Sequence, residues 1–135
     1  MGILESLRQF LQGFPGLGEL AVDFTQDGPG NAGLFPVGIT EVDRRTDLLG
    51  NIQVTYEGLF TLYKRLELGQ DGAQWLLDLE CWLLNNNDAV QVRKAKIQEA
   101  SQLQYGLCTV TLAMRLRKTF NMKGESYAEN GTVYR

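Results

Sequence analysis

The stretch Ile52-Gln-Val-Thr-Tyr-Glu-Gly-Leu-Phe-Thr-Leu-Tyr-Lys-Arg65 constrains the fold more than any other part of this chain. Ile52, Val54, Tyr56, Phe60 and Leu62 occupy its even positions, while Gln53, Thr55, Glu57, Thr61 and Arg65 make the odd positions mostly polar. Successive strand side chains point to opposite faces, so this alternation predicts a long strand with one apolar face. Burial of its five apolar side chains contributes at most about 1.5–3 kcal/mol each. Leu107 to Phe120 repeats the pattern, with Cys108, Val110, Leu112, Met114 and Leu116 set against Thr109, Thr111, Ala113, Arg115 and Arg117.

Around these two strands the remaining elements follow in order. Ile3, Leu4, Leu7, Phe10 and Leu11 recur at helical spacing, with Gly13 and Pro15 as stop signals. Leu20, Val22 and Phe24 alternate as a first strand, and residues 26–33 are turn chemistry. A second strand spans Leu34 to Arg45, with Val37, Ile39, Glu41 and Asp43 expected on one side and Thr40 and Val42 on the other; Pro36 and Gly38 mark it as irregular or an edge. With the 52–65 strand it forms a long antiparallel hairpin whose end projects as an arm. Asp71 or Gly72 caps a second helix bearing Trp75, Leu76, Leu79, Trp82 and Leu83, its apolar stripe widened by Leu77, Cys81 and Leu84. A strand follows from Val92 to Gln104, then a turn at Tyr105-Gly106. The expected fold is α+β: one mostly antiparallel sheet of about five strands, two helices packed on one face, order α-β-β-β-α-β-β. Residues 1–120 form a single domain and residues 121–135 a tail, free or draped over a partner.

Composition narrows function mainly by exclusion. Histidine is absent, which removes His-based triads and nearly all common zinc sites. No glycine cluster stands in a strand–GxGxxG–helix or GxxxxGK[ST] context, so no nucleotide cradle is expected. The carboxylates Asp43, Glu57, Glu67, Asp71, Asp78 and Glu80 show no acid–base pairing, and solvated faces plus a helix cap account for them. Cys81 and Cys108 read as reduced, buried small hydrophobes. No enzyme activity, cofactor or metal is expected. The N-terminus lacks a signal-peptide pattern and no apolar run is long enough to span a bilayer, so a cytoplasmic origin without membrane attachment is expected. A myristoylation pattern at Met1–Ser6 and a sequon at Asn130–Thr132 are set aside as chance matches. Thirteen Lys and Arg against sixteen Asp and Glu argue against general nucleic-acid affinity. Yet Gln91 to Lys118 holds Arg93, Lys94, Lys96, Arg115, Arg117 and Lys118 against Glu99 alone. That run is either a solvated sheet face or a surface turned to something polyanionic.

A resemblance then enters on particular stretches: the opening Met1-Gly-Ile-Leu-Glu-Ser-Leu-Arg8 helix, Leu20-Ala-Val-Asp-Phe24 before a Gly/Pro-rich link, Phe60-Thr-Leu-Tyr-Lys-Arg65, Trp75-Leu-Leu-Asp-Leu-Glu-Cys-Trp-Leu83, Ile97-Gln-Glu-Ala100 and the closing 105–120 strand. Together they resemble small prophage minor tail proteins of Firmicutes, similar to the tail-terminator family of long-tailed phages. The resemblance covers roughly Met1 to Phe120, and none of its motifs is chemically specific. It implies a ring, typically a hexamer, that caps the tail tube and offers a docking face to the head. Its partners are then further copies of itself, tail-tube protein and a head-completion or connector protein. DNA would meet it only in passage, without sequence-specific binding. The location implied is the host bacterial cytoplasm during assembly and the virion tail afterwards. In that arrangement Lys94, Lys96, Arg115 and Arg117 are the candidate lumen or DNA-proximal residues. Arg44, Arg45, Leu48, Leu49, Trp75 and Trp82 are the candidate subunit-interface residues. A head–tail connector and a non-phage dimeric adaptor or small-ligand module stand as alternatives.

Overall fold

The two fifteen-residue strands predicted from alternation pair with each other along their whole length. A computed structural model describes residues 2–21, 32–86, 89–121, 126–128 and 133–134. Its elements are α1 (Ile3–Leu11), β1 (Leu20–Ala21), β2 (Ala32–Thr46), β3 (Ile52–Leu66), α2 (Gly72–Asn86), β4 (Val90–Gln98), β5 (Gly106–Phe120), β6 (Ser126–Ala128) and β7 (Val133–Tyr134). The expected element order holds. Four strands are long, and all are paired antiparallel: β2 with β3, β3 with β5, and β4 with β5. β1 joins the β2 edge in parallel at Ala32–Gly33. β6 pairs with Lys118–Phe120 beyond the point where β4 stops, so part of the expected tail returns to its own sheet. Val22, Phe24, most of the 26–33 turn, Met1 and the 130–132 sequon lie outside the described residues.

Alternation decides which face is covered. Val54, Phe60, Leu62 and Leu66 of β3 and Cys108, Val110 and Leu112 of β5 are buried, all at even positions. Except for Val54 they join one cluster with Leu7 and Leu11 of α1, Leu34 of β2, and Trp75, Leu79 and Leu83 of α2. The α1–β1 link adds Phe14 and Leu17. Asp71 caps α2, its carboxylate accepting the Gln74 amide at 3.1 Å.

The helices meet through aromatic rings. Trp75 Nε1 donates to the Gly16 carbonyl at 2.8 Å. Phe14 stands edge-on to Trp75 at 5.9 Å, and Phe10 and Phe14 pack on Trp82 at 4.9 and 5.6 Å. Trp75, buried, and Trp82, half-buried, which the sequence reading grouped with the candidate subunit-interface residues, thus pack within the chain against rings from α1 and the segment that follows it.

Four further expectations are corrected. The α2 stripe is narrower than predicted: Leu77, Cys81 and Leu84 are exposed, on a side of the helix that no described element covers. Cys81 is thus accessible, whereas Cys108 is buried. β4 ends at Gln98 instead of Gln104, because the Ser101 hydroxyl accepts the Leu103 and Gln104 amides and turns the chain. In β2 the expected faces are reshuffled by irregularities between Pro36 and Gly38 and between Glu41 and Asp43. Ile39 and Glu41 pair with Gly58 and Tyr56, while Asp43 pairs with Thr55 and so lies on the other face.

Gly106 begins β5 where a Cβ would collide with the Gln98 carbonyl and the Ala100 amide, both backbone groups. Gly106→Ala is expected to destabilise by at least about 2 kcal/mol, measured as a lowered urea midpoint. Burial also pushes the Cys108 thiol up to about 11. A thiol probe at neutral pH is therefore expected to label Cys81 rapidly in the native protein and Cys108 only on unfolding.

Candidate functional site: a projecting hairpin and an open sheet face

β2 is buried only from Ala32 to Leu34, and from Pro36 to Thr46 every residue is exposed. The core cluster takes no residue from this segment, from β3 before Phe60 or from β5 beyond Met114. The hairpin closes over residues 47–51, where Asp47 organises the turn. Its carboxylate accepts the Leu49 and Asn51 amides, each at 2.9 Å, and the Asn51 side-chain amide at 3.0 Å. These donors, Asn51 foremost, hold the Asp47 carboxyl below its usual range. Gly50 takes φ +85°, a conformation other residues adopt only under strain. The result is a formed turn that directs Leu48, fully exposed, and Leu49, 71% exposed, outward.

Along the arm, Arg44 pairs with Glu41 at 2.6 Å and Arg45 with Asp43 at 3.0 Å. Exposed pairs of this kind contribute little to stability and chiefly keep the arm's charges balanced. Arg44, Arg45, Leu48 and Leu49 thus lie together at one end of the sheet. Trp75 and Trp82, grouped with them in the sequence reading, lie apart from them on α2, Trp75 in the core and Trp82 half-buried against it.

On the even-numbered face, Ile3, Leu4, Pro36, Ile39, Phe60 and Leu116 line an apolar groove of about 300 Å³ where the arm leaves the core. At the opposite end of the sheet, Leu68 and Leu103 are also exposed, and Tyr105 lies beneath the Arg65 guanidinium at 5.1 Å. Nothing in the sequence pattern singled out this second end, because loop leucines carry no periodicity.

The four candidate DNA-proximal residues fall on one face. Lys94 and Lys96 pair with Thr111 and Thr109, and Arg115 and Arg117 alternate with those threonines along β5. All four are exposed. Arg93 forms an ion pair with Glu57, which is itself the register partner of Arg115. Among the described residues no three His, Cys, Asp or Glu side chains gather at metal-binding distance. Nor is any helix among them long and apolar enough to cross a membrane. No protein-family model, curated protein or solved structure matches the chain.

Lys64 was missed in the sequence reading, although the alternation itself places it inward. It occupies an even position between Ala32 and Cys108 and is only 7% exposed. Burial lowers its pKa, with the Glu67 carboxylate acting in the other direction. Because the folded value lies below the unfolded one, the unfolded chain binds more protons between the two, and stability from this group rises with pH across that window. Lys64→Met is expected to raise the urea midpoint at pH 7, with the gap from wild type narrowing as pH approaches 10.5, the ordinary lysine value. Parallel urea titrations at stepped pH measure it.

Proposed function

We propose that the protein is a structural assembly subunit, a tail-terminator-like or minor tail protein of a long-tailed phage, which forms a ring of its own copies on the tail tube and joins it to the head. The observation that carries this reading is the β2–β3 arm: a turn fixed by Asp47 that exposes two leucines, on a strand exposed from Pro36 to Thr46. Exposed leucines on an ordered turn have little intramolecular use, and beyond Gly33 no described residue pairs with the outer edge of β2, an edge that invites a partner. The exposed band Leu77, Cys81 and Leu84 on α2 supplies a further apolar surface. With both helices read as covering the even-numbered face, the opposite face of the sheet stays free. A subunit whose sticky surfaces lie at different places makes head-to-tail contacts, which close into rings when the rotation permits. The resemblance drawn from the sequence favours a tail ring among such assemblies, typically of six copies.

Sedimentation velocity over a concentration series tests the reading. The wild-type chain is expected to move from monomer to one discrete closed species as concentration rises, and Leu48→Asp/Leu49→Asp is expected to shift that transition at least about tenfold upward in concentration, the equivalent of roughly 1.4 kcal/mol. A wild-type chain that stays monomeric throughout, or a double variant that assembles like wild type, overturns it.

A further inference from the structure

Strand pairing aligns into one row cations that the sequence carries in two separated runs. Lys96 and Lys94 stand opposite Thr109 and Thr111 and share their face of β5. A register shift between Val92 and Lys94 makes Arg93 the extra residue, and its guanidinium reaches past β5 to Glu57 on β3. β4 ends at Val90, opposite Met114, and from there Arg115 and Arg117 extend the row along β5. Lys96, Lys94, Arg93, Arg115 and Arg117 thus follow one strand from the level of Thr109 to Arg117. That is about 27 Å at roughly 3.4 Å per residue. Among the described residues Glu57 is the carboxylate paired within the row, 19% exposed and held by Arg93. This row stands on a chain whose net charge is −3.

We infer that the row is a track for the phosphate backbone of double-stranded DNA, read without regard to sequence. Complementary charge names a polyanion, and the length of the row along the strands names an extended one. About 27 Å corresponds to roughly eight base-pair steps of duplex. The neighbouring side chains on this face are Gln91, Thr109 and Thr111, whose amide and hydroxyls suit phosphate oxygens, with the buried Ala113 between and Leu59, Thr61 and Tyr63 of β3 alongside. Neither β4 nor the outward positions of β5 from Leu107 to Thr119 hold an aromatic ring, and Tyr63, beside Thr109 on β3, is engaged edge-on with Phe35 at 5.8 Å, so the row itself offers a single strand no run of rings on which to stack its bases. A flat row also offers no helix or ribbon to enter a groove, which leaves base edges unread. The track belongs to each subunit and does not depend on ring formation.

Fluorescence anisotropy of a labelled mixed-sequence duplex with the full chain, from low to physiological salt, tests the inference. The logarithm of affinity is expected to fall linearly with the logarithm of salt, with a slope of about −4 for four to five phosphates neutralised. Lys94→Glu/Lys96→Glu and Arg115→Glu/Arg117→Glu are each expected to weaken binding at least about tenfold at low salt, with circular dichroism unchanged. Arg44→Glu, the same kind of change on the opposite face of the arm, is expected to alter it less than about twofold. Leu48→Asp/Leu49→Asp is expected to leave it intact, which separates failure of the track from failure of assembly. Absence of salt-sensitive binding, an equal loss in Arg44→Glu, tighter binding of the corresponding single strand, or equal binding of polyglutamate overturns it.

Discussion

Everything in this fold hangs on the fifteen-residue pairing of β3 with β5, unbroken from Ile52–Phe120 to Leu66–Gly106. Because that ladder has no irregularity, the even positions of both strands stay on one side throughout. The core cluster draws on those even positions, and residues of both helices, nine and fifteen residues long, join it. The other end of the same ladder runs on past the helices. Covered core and projecting arm are thus two lengths of one continuous pairing.

The two faces carry different chemistry for the same reason. Even positions supply leucine, valine and phenylalanine to the cluster; odd positions supply threonine, glutamate and arginine to solvent. Lys64 is the exception on the inner side, a charge buried by its place in the alternation. In the proposed assembly the division separates tasks: contacts between copies at the arm and the exposed side of α2, and the polyanion-facing row on the uncovered face.

The long strands, the helices and their order were legible in the sequence because period-2 and period-3.6 patterns last long enough there to be unambiguous. The cap at Asp71 and the projecting arm were legible as well. What stayed hidden depends on contacts distant in sequence. Trp75 and Trp82 looked available to a partner because nothing in α2 itself tells that Phe10, Phe14 and the Gly16 carbonyl come to meet them. Cys81 lies in an apolar run yet points outward, since exposure depends on which side of the helix the sheet takes. The alignment of Lys94 and Lys96 with Arg115 and Arg117 required the β4–β5 register, which no single segment encodes.

The two irregularities in β2 bear on how such an arm survives unaccompanied. Each leaves one extra residue, Val37 and Val42, both exposed, and each throws the strand out of step with a regular neighbour. A straight strand from an arbitrary polypeptide could extend a ladder along this border for only a few residues before losing its hydrogen bonds. Only a segment that breaks stride at the same two places can follow it from end to end. The border is thereby selective without being blocked, so that unrelated segments are turned away while a partner shaped to the same two steps can still seat along it.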